Sequence, residues 1–241
     1  MRYLKRFNNM IIKDNLKKWT RKNAYEKSYG SNNPPSYPSE TLIRICLSTR
    51  FSKFKINIFK KRFQALEVGC FSGNNLRFFL ENKVKCFGSE INNEMIKLCK
   101  SNLKRLKLIS PKIKLGKNNN LNYESKKFNL LVSINTIHYS FGENLENAVK
   151  EYARVLKKGG IAIIETPSKN HNTFKKSKKV SDFHYLWGPT GFRHKSPMGF
   201  INDLNKFKKI LKKYFSDFEI NNKTEYYEKI KLSTYLFVCK K

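Results

Sequence analysis

From Gln64 onward, short runs rich in β-branched residues and leucine alternate with longer stretches whose apolar residues recur every three to four positions. A chain patterned in this way is driven toward a parallel sheet flanked by helices, because each strand is buried on both faces and each helix buries one stripe. The pattern predicts strands over residues 64–68, 84–89, 112–116, 129–134 and 161–166, with helices over 74–80, 93–106 and 145–157. Met95, Leu98, Cys99 and Leu106 are expected on one face of the second helix. Leu145, Ala148, Val149, Tyr152, Val155 and Leu156 form the apolar stripe of the third. Gly159 and Gly160 are expected to end that helix in a left-handed cap, with Lys157 and Lys158 at its negative end.

Residues 167–198 carry glycine, proline, histidine and aromatic residues without period and read as an insertion folded over the sheet. Leu204, Phe207, Ile210, Leu211 and Tyr214 mark a last helix, after which residues 217–227 and 231–239 read as an antiparallel strand pair that closes the sheet. Ahead of the first strand come a basic helical stretch at 16–27, a turn-rich segment at 29–39, a helix at 40–47 and an exposed lead-in at 53–62. The expectation is one domain over residues 41–241 with residues 1–40 as a helical cap, and 241 residues are ample for its core.

Fifty basic against eighteen acidic residues give a net charge of +32, enough to draw the protein toward nucleic acid or an anionic surface. Forty of the fifty are lysine and 27 further residues are asparagine, scattered through every segment. That joint excess is read as a coding bias rather than a selected binding face. The sharper candidates for a basic stripe are Lys175, Lys176, Lys178 and Lys179, and Lys208, Lys209, Lys212 and Lys213. The five cysteines form no C-x-x-C pair and no metal-ligand spacing, so neither a disulfide framework nor a metal site is expected. No apolar run approaches the roughly 20 residues of a membrane span, and no signal peptide is evident, so a cytoplasmic setting is expected.

The segment Leu66-Glu67-Val68-Gly69-Cys70-Phe71-Ser72-Gly73 leaves a strand and enters a helix, placing glycines where the backbone turns tightly beside a nucleotide-like ligand. Glu67 lies inside the strand, where dinucleotide-binding sequences carry an apolar residue. Glu90 follows 23 positions later at the end of the second strand, where a carboxylate can accept hydrogen bonds from both ribose hydroxyls.

These residues resemble the class I S-adenosylmethionine-dependent methyltransferases over most of residues 64–241. ALEVGCFSGNNL is similar to the family's first motif, FGSEINNEMI to its second strand with the ribose acid, FNLLVSINTIHY to its fourth strand, and YARVLKKGGIAIIETP to the helix, turn and fifth strand that follow. The resemblance implies a Rossmann-like, doubly wound seven-stranded α/β sheet with the terminal antiparallel pair, and S-adenosylmethionine as cofactor. Carried over by residue, Glu67, Gly69, Cys70 and Gly73 would shape the methionine end of the pocket, with Gly69 and Gly73 admitting the ligand close to the backbone. Glu90 would hold the ribose, Ile91 and Met95 would pack the adenine with Asn118 at its edge, Asn135 would lie near the methionine moiety, and Tyr25 and Tyr29 would close over from the cap. The sequence departs from the family at Phe71, where a glycine is usual, at Lys117 and Asn118, where an acid is common, and at Phe128-Asn129, where Phe-Asp is usual.

The cofactor implied activates its own methyl group, so the protein has to align a nucleophile and exclude water. A hydroxyl nucleophile would also need a base, and His138, His171, His184 and His194 all follow the fourth or fifth strand, on the ligand-binding edge of an open α/β sheet. His138 ranks first as catalytic candidate and His194 second; His184, Trp187 and Arg193 form either an acceptor floor or a small satellite core. Asn33-Pro34-Pro35-Ser36-Tyr37 reads as a turn rather than a base-stacking motif, because Ser36 interrupts it and it lies in the cap. The leading expectation is a methyltransferase acting on a small molecule such as a sugar or a lipid-linked precursor. The competing readings are an RNA methyltransferase using the basic surface and a non-catalytic cofactor-binding or scaffold protein of the same fold.

Overall fold

A computed structural model of the protein describes residues 36–189, 194–228 and 230–241. The basic stretch at 16–27, Tyr25, Tyr29, Asn33 to Pro35 and Arg193 lie outside the described residues. Helix α1 (Glu40–Leu47) precedes β1 (Gln64–Val68), α2 (Asn74–Glu81), β2 (Lys85–Glu90), α3 (Asn93–Arg105), β3 (Lys112–Leu115) and β4 (Phe128–Ile134). Then come α4 (Glu143–Val155), β5 (Leu156–Pro167), α5 (Asn172–Lys175), β6 (Lys178–Ser181), β7 (His184–Leu186), β8 (Pro197–Met198), α6 (Leu204–Tyr214), β9 (Asp217–Tyr227) and β10 (Ile230–Lys240).

The main sheet has seven strands in the order β3-β2-β1-β4-β5-β10-β9. The first five run parallel, and β10 is antiparallel to both β5 and β9. The chain winds outward from β1 through β2 to β3, then crosses back to place β4 on β1's other side. The reversal opens a crevice at the carboxyl ends of β1 and β4, which is where such sheets bind ligands.

Alternation along the strands sorts their side chains onto two cores. Leu66, Val68, Leu131, Ala162 and Ile164 pack with Leu145, Val149 and Tyr152 of α4 and Phe207 and Leu211 of α6. Ala65, Leu130, Val132, Ile161, Ile163 and Val238 pack on the opposite face against Leu42 and Ile45 of α1, Leu76 and Phe79 of α2 and Leu103 of α3. Full burial of one such side chain stabilises the fold by about 1.5–3 kcal/mol. All five cysteines are buried free thiols. No helix among the described residues is long and apolar enough to cross a membrane.

Four local expectations are corrected. The stripe of α3 buries Met95, Ile96, Cys99 and Leu103, while Leu98 and Leu106 are half-buried, because the helix leans toward the turn after β1. Gly159 and Gly160 do not cap α4. The helix stops at Val155 because Leu156 is already extended and pairs with Phe128. The glycines instead absorb a register shift between Phe128 and Leu130, with Gly159 at φ +74° and Gly160 tight against the Lys157 and Phe128 carbonyls. Lys157 accordingly donates to Asn129 Oδ1 at 3.2 Å rather than serving a helix end. The lead-in to β1 is not wholly exposed, since Ile58 is 2% exposed in the second core.

The insertion holds a three-stranded sheet, β6-β7-β8, over a small core of Tyr185, Met198 and Phe200 that also takes in Phe174, Tyr139 and Trp187. His184 stacks on Phe141 with ring centroids 4.7 Å apart, so it and Trp187 belong to the satellite packing rather than to an open floor.

Candidate active site

β1 ends at Val68, and the chain reverses through Gly69 (φ +70°), Phe71 (φ +42°) and Gly73 (φ +79°) into α2. Amide donation from Gly69 and Cys70 to the Ser89 carbonyl, at 2.8 and 3.2 Å, ties the turn to the end of β2. A Cβ added at Gly69 would lie 2.5 Å from Thr136 Oγ1, so this glycine lets the β1 and β4 loops approach each other. At Gly73 the same atom would meet Cys99 Sγ at 2.8 Å and Leu103, which shows the glycine serving α2–α3 packing rather than ligand approach. Cys70 is fully buried, its sulfur filling the space beside Gly88.

Above the turn lies a cavity of about 730 Å³, walled by the carboxyl ends of β1, β2, β4 and β5, the loop after β3, and β9 and β10. Glu67, Gly69, Glu90, Ile91, Met95, Asn118 and Asn135 all line it. Cys70 and Gly73 lie beneath it, and Tyr25 falls outside the described residues.

Glu90 is buried at the tip of β2, with Oε2 accepting the Phe71 amide at 3.0 Å and Oε1 the Ile91 amide at 2.7 Å. Burial raises its pKa and these two amides lower it, burial prevailing. Glu67 is 3% exposed; Oε1 accepts from Asn75 Nδ2 at 2.8 Å and Oε2 has no hydrogen-bond partner. Desolvation, with Glu90 as a like charge nearby, pushes its pKa up to about 8 against the pull of Asn75. Asn75 in turn accepts the Ser39 amide at 2.8 Å, fixing the entry of α1 over the cavity rim.

The loop after β3 is held in place from two sides. Asn118 Nδ2 donates to the Thr136 carbonyl and to Ser140 Oγ, each at 3.0 Å. Glu151 on α4 accepts the Leu121 amide at 2.7 Å while Arg154 binds the Leu121 and Tyr123 carbonyls. Asn135, at φ +53°, donates its amide to the Glu165 carbonyl at 2.9 Å.

The histidines divide otherwise than expected. His138 is 4% exposed in the short 3-10 turn Ile137–Tyr139 and does not line the cavity, whereas its neighbour Tyr139 does. His194 sits in the insertion with Nδ1 3.2 Å from the Gly188 carbonyl, also off the cavity wall. His171 is the histidine that lines the cavity. Its Nδ1 accepts the Thr173 amide at 3.1 Å, so the neutral ring carries its proton on Nε2, and burial lowers its pKa so that this form prevails at neutral pH.

Sequence reasoning missed Glu165, Thr234, Lys223 and Glu225, which also line the cavity. Glu165 carried a signal, a carboxylate closing the otherwise apolar run IAIIET, of the same kind that singled out Glu67. The other three reach the site through the antiparallel pairing of β10 with β5 and β9, which no local pattern reports.

The cavity suits the cofactor implied by the resemblance. Each Glu90 oxygen uses one lone pair on an amide and retains another for a ribose hydroxyl. Glu67 Oε2, buried and unpartnered, is suited to an ammonium group. No cluster of three histidine, cysteine, aspartate or glutamate side chains that could hold a metal occurs among the described residues.

Residues 66–164 match the family model described as a methyltransferase domain. Among solved structures, a protein from Pyrococcus horikoshii is similar with a TM-score of 0.60 and 19% identity, covering 90% of this chain and 97% of that one. An S-adenosylmethionine-dependent methyltransferase from Methanosarcina mazei gives a TM-score of 0.61 at 17% identity over 74% of this chain and 92% of its own. One from Archaeoglobus fulgidus gives 0.55 at 17%, over 76% and 88%. At these identities the structural likeness is one of fold. No curated protein matches the sequence significantly.

Proposed function

We propose that the chain is a class I S-adenosylmethionine-dependent methyltransferase, a reading supported by the match of residues 66–164 to a methyltransferase domain, and that it methylates a small polar molecule, such as a sugar or a lipid-linked precursor, rather than RNA. The observation that carries this reading is a reversal of charge. In a protein of net charge +32, the cavity is lined by the carboxyl groups of Glu90, Glu165 and Glu225, with Glu67 mostly protonated at neutral pH, against the amines of Lys117 and Lys223. Lys223 is itself engaged by Glu225 at 3.1 Å. Such a lining repels a phosphate backbone, whose binding depends on phosphates meeting unpaired cations. It suits a neutral or cationic molecule with hydrogen-bond donors.

When bound, the cofactor supplies an activated methyl group, so the protein's work is alignment and exclusion of water. Glu90 grips the ribose hydroxyls, Glu67 the ammonium, and Ile91 and Met95 the adenine face. Asn118 holds the adenine edge of the wall, and Asn135 fixes the end of β4. His171 presents an Nε2 proton to the acceptor side. His138 and His194 stand away from this wall and support it from the turn after β4 and from the insertion.

The reading is tested in two steps. Calorimetry is expected to show S-adenosylmethionine binding that weakens at least tenfold in Glu90→Ala. Labelled cofactor is then incubated with fractionated cell extract, and label is expected in the small-molecule pool, insensitive to ribonuclease. Label confined to RNA would overturn the acceptor class. Binding without any transfer would favour the scaffold reading, and absence of binding would remove the function altogether.

A further inference from the structure

We propose that Glu165 is the acceptor-binding residue of this cavity, its buried carboxylate taking the hydrogen bond of a hydroxyl or amine on the small molecule to be methylated. The proposal rests on the methyltransferase reading above and names the chemistry that reading leaves open.

Glu165 sits two residues short of the end of β5, is 6% exposed and lines the cavity. Its Oε1 accepts from Thr234 Oγ1 at 3.0 Å, while Oε2 is buried without a hydrogen-bond partner. A carboxylate oxygen held away from water with nothing to accept from is costly. A ligand that donates to Oε2 removes the cost, so occupancy of this spot by an N–H or O–H group is favoured over occupancy by a group without one.

The register of the sheet places this oxygen away from the groups assigned to the cofactor. Glu67 is level with Gly88 on β2 and with Val132 on β4, and Val132 is level with Ile163 on β5. Glu90 and Glu165 therefore stand in one row, two residues beyond Glu67, on strands three steps apart. At the ordinary strand spacing that is about 14 Å, with Glu67 lower by roughly 6–7 Å. All three project from the same face of the sheet, since Glu67 alternates with Leu66 and Val68, and Glu165 with Ile164, of the opposite core. Two acids thus mark the β1–β2 end of the cavity, and a third marks the β5–β10 end.

Thr234 orients the carboxylate. Leu232, Met198 and His171 line the same cavity, the first two offering apolar wall and His171 an Nε2 proton to an acceptor atom on the same molecule. A compact molecule carrying both a donor and an acceptor, as polyols and amino alcohols do, fits this set.

The test uses the full chain saturated with S-adenosylhomocysteine and three probes matched in size: n-butanol, n-butylamine and methyl propyl ether. Binding is read by saturation-transfer NMR. The alcohol or the amine is expected to bind at least fivefold tighter than the ether, and the preference is expected to vanish in Glu165→Leu. Glu165→Gln, which keeps the shape and brings an N–H donor, is expected to shift the preference toward the ether. The arm that wins, alcohol or amine, identifies the donor group that Glu165 takes. S-adenosylhomocysteine affinity is measured in the same samples and is expected to stay within twofold in both variants. If the unaltered protein does not bind S-adenosylhomocysteine, the methyltransferase reading falls and this proposal with it. If it does bind, equal affinity for the three probes, or a preference that survives Glu165→Leu, overturns the proposal alone. Should Glu165→Leu fail to fold, the Glu165→Gln comparison decides on the same criterion.

Discussion

The backbone amide of Phe71 donates to Oε2 of Glu90 at 3.0 Å. The residue that departs most visibly from the family's glycine-rich turn thus orients the Glu90 carboxylate through its main chain. Its φ of +42° is one that glycine adopts without strain. Phe71→Gly is therefore expected to keep S-adenosylmethionine affinity within about threefold, while Glu90→Ala loses about tenfold or more, the scale of a hydrogen bond to a charged group. Calorimetry on both variants checks the contrast. Collapse of binding in Phe71→Gly would assign the role to the ring instead of the amide.

Asn75 serves two partners at once, donating to Glu67 Oε1 and accepting from the Ser39 amide. Asn75→Leu keeps the volume and removes both, taking from the buried Glu67 carboxyl the side chain that donates to it. A loss of about 1–3 kcal/mol in urea unfolding is expected, together with weaker cofactor binding. Unchanged stability would mean that water replaces the amide.

Burial raises the Glu67 pKa to about 8. At pH 7 the unliganded group is mostly protonated, and a ligand ammonium that favours the carboxylate must expel that proton. Calorimetric titration in buffers of different ionisation enthalpy is expected to show release of most of a proton on S-adenosylmethionine binding, absent in Glu67→Gln. The same shift predicts the slope of stability with pH. The unfolded group ionises near 4.5 while the folded one waits until about 8, so between these values the folded state holds more protons and stability falls as pH rises. Glu67→Gln is expected to reduce that slope without abolishing it, because Glu90 is shifted in the same direction.

Gly69→Ala would place a methyl group 2.5 Å from Thr136 Cγ2 and Oγ1 at a backbone angle of +70°. The substitution is expected to cost about 1–2 kcal/mol for the left-handed backbone alone, plus the clash. Adding Thr136→Ala is expected to recover the clash but not the backbone part. A double-mutant cycle in urea should therefore show a coupling of about 0.5 kcal/mol or more, and strict additivity would indicate that the two loops separate freely.

The sheet and its ligand edge were legible because their signals are local. Glu67 and Glu90 are acids at strand ends, and both line the cavity whatever the rest of the chain does. His138 was misleading for a reason of less than one turn. The 3-10 geometry of residues 137–139 points successive side chains in different directions, turning Tyr139 to the cavity and His138 into the protein. Gly159 and Gly160 follow a helical stripe as a cap would, yet the pairing of Leu156 with Phe128 outweighs the cap. Thr234 and Lys223 could not be read at all, since their place depends on a strand register set across some seventy residues.

The strand that sits between β5 and β9 is the last in chain order of the ten among the described residues. A ribosome making this protein must therefore release β5 with one long edge bare, its amides and carbonyls facing outward until β10 arrives. Over that interval the nascent chain offers a template for wrong partners, and Glu165 lacks the Thr234 hydroxyl that later steadies it. Completion of the β5 end of the cavity consequently waits until β10 has been made.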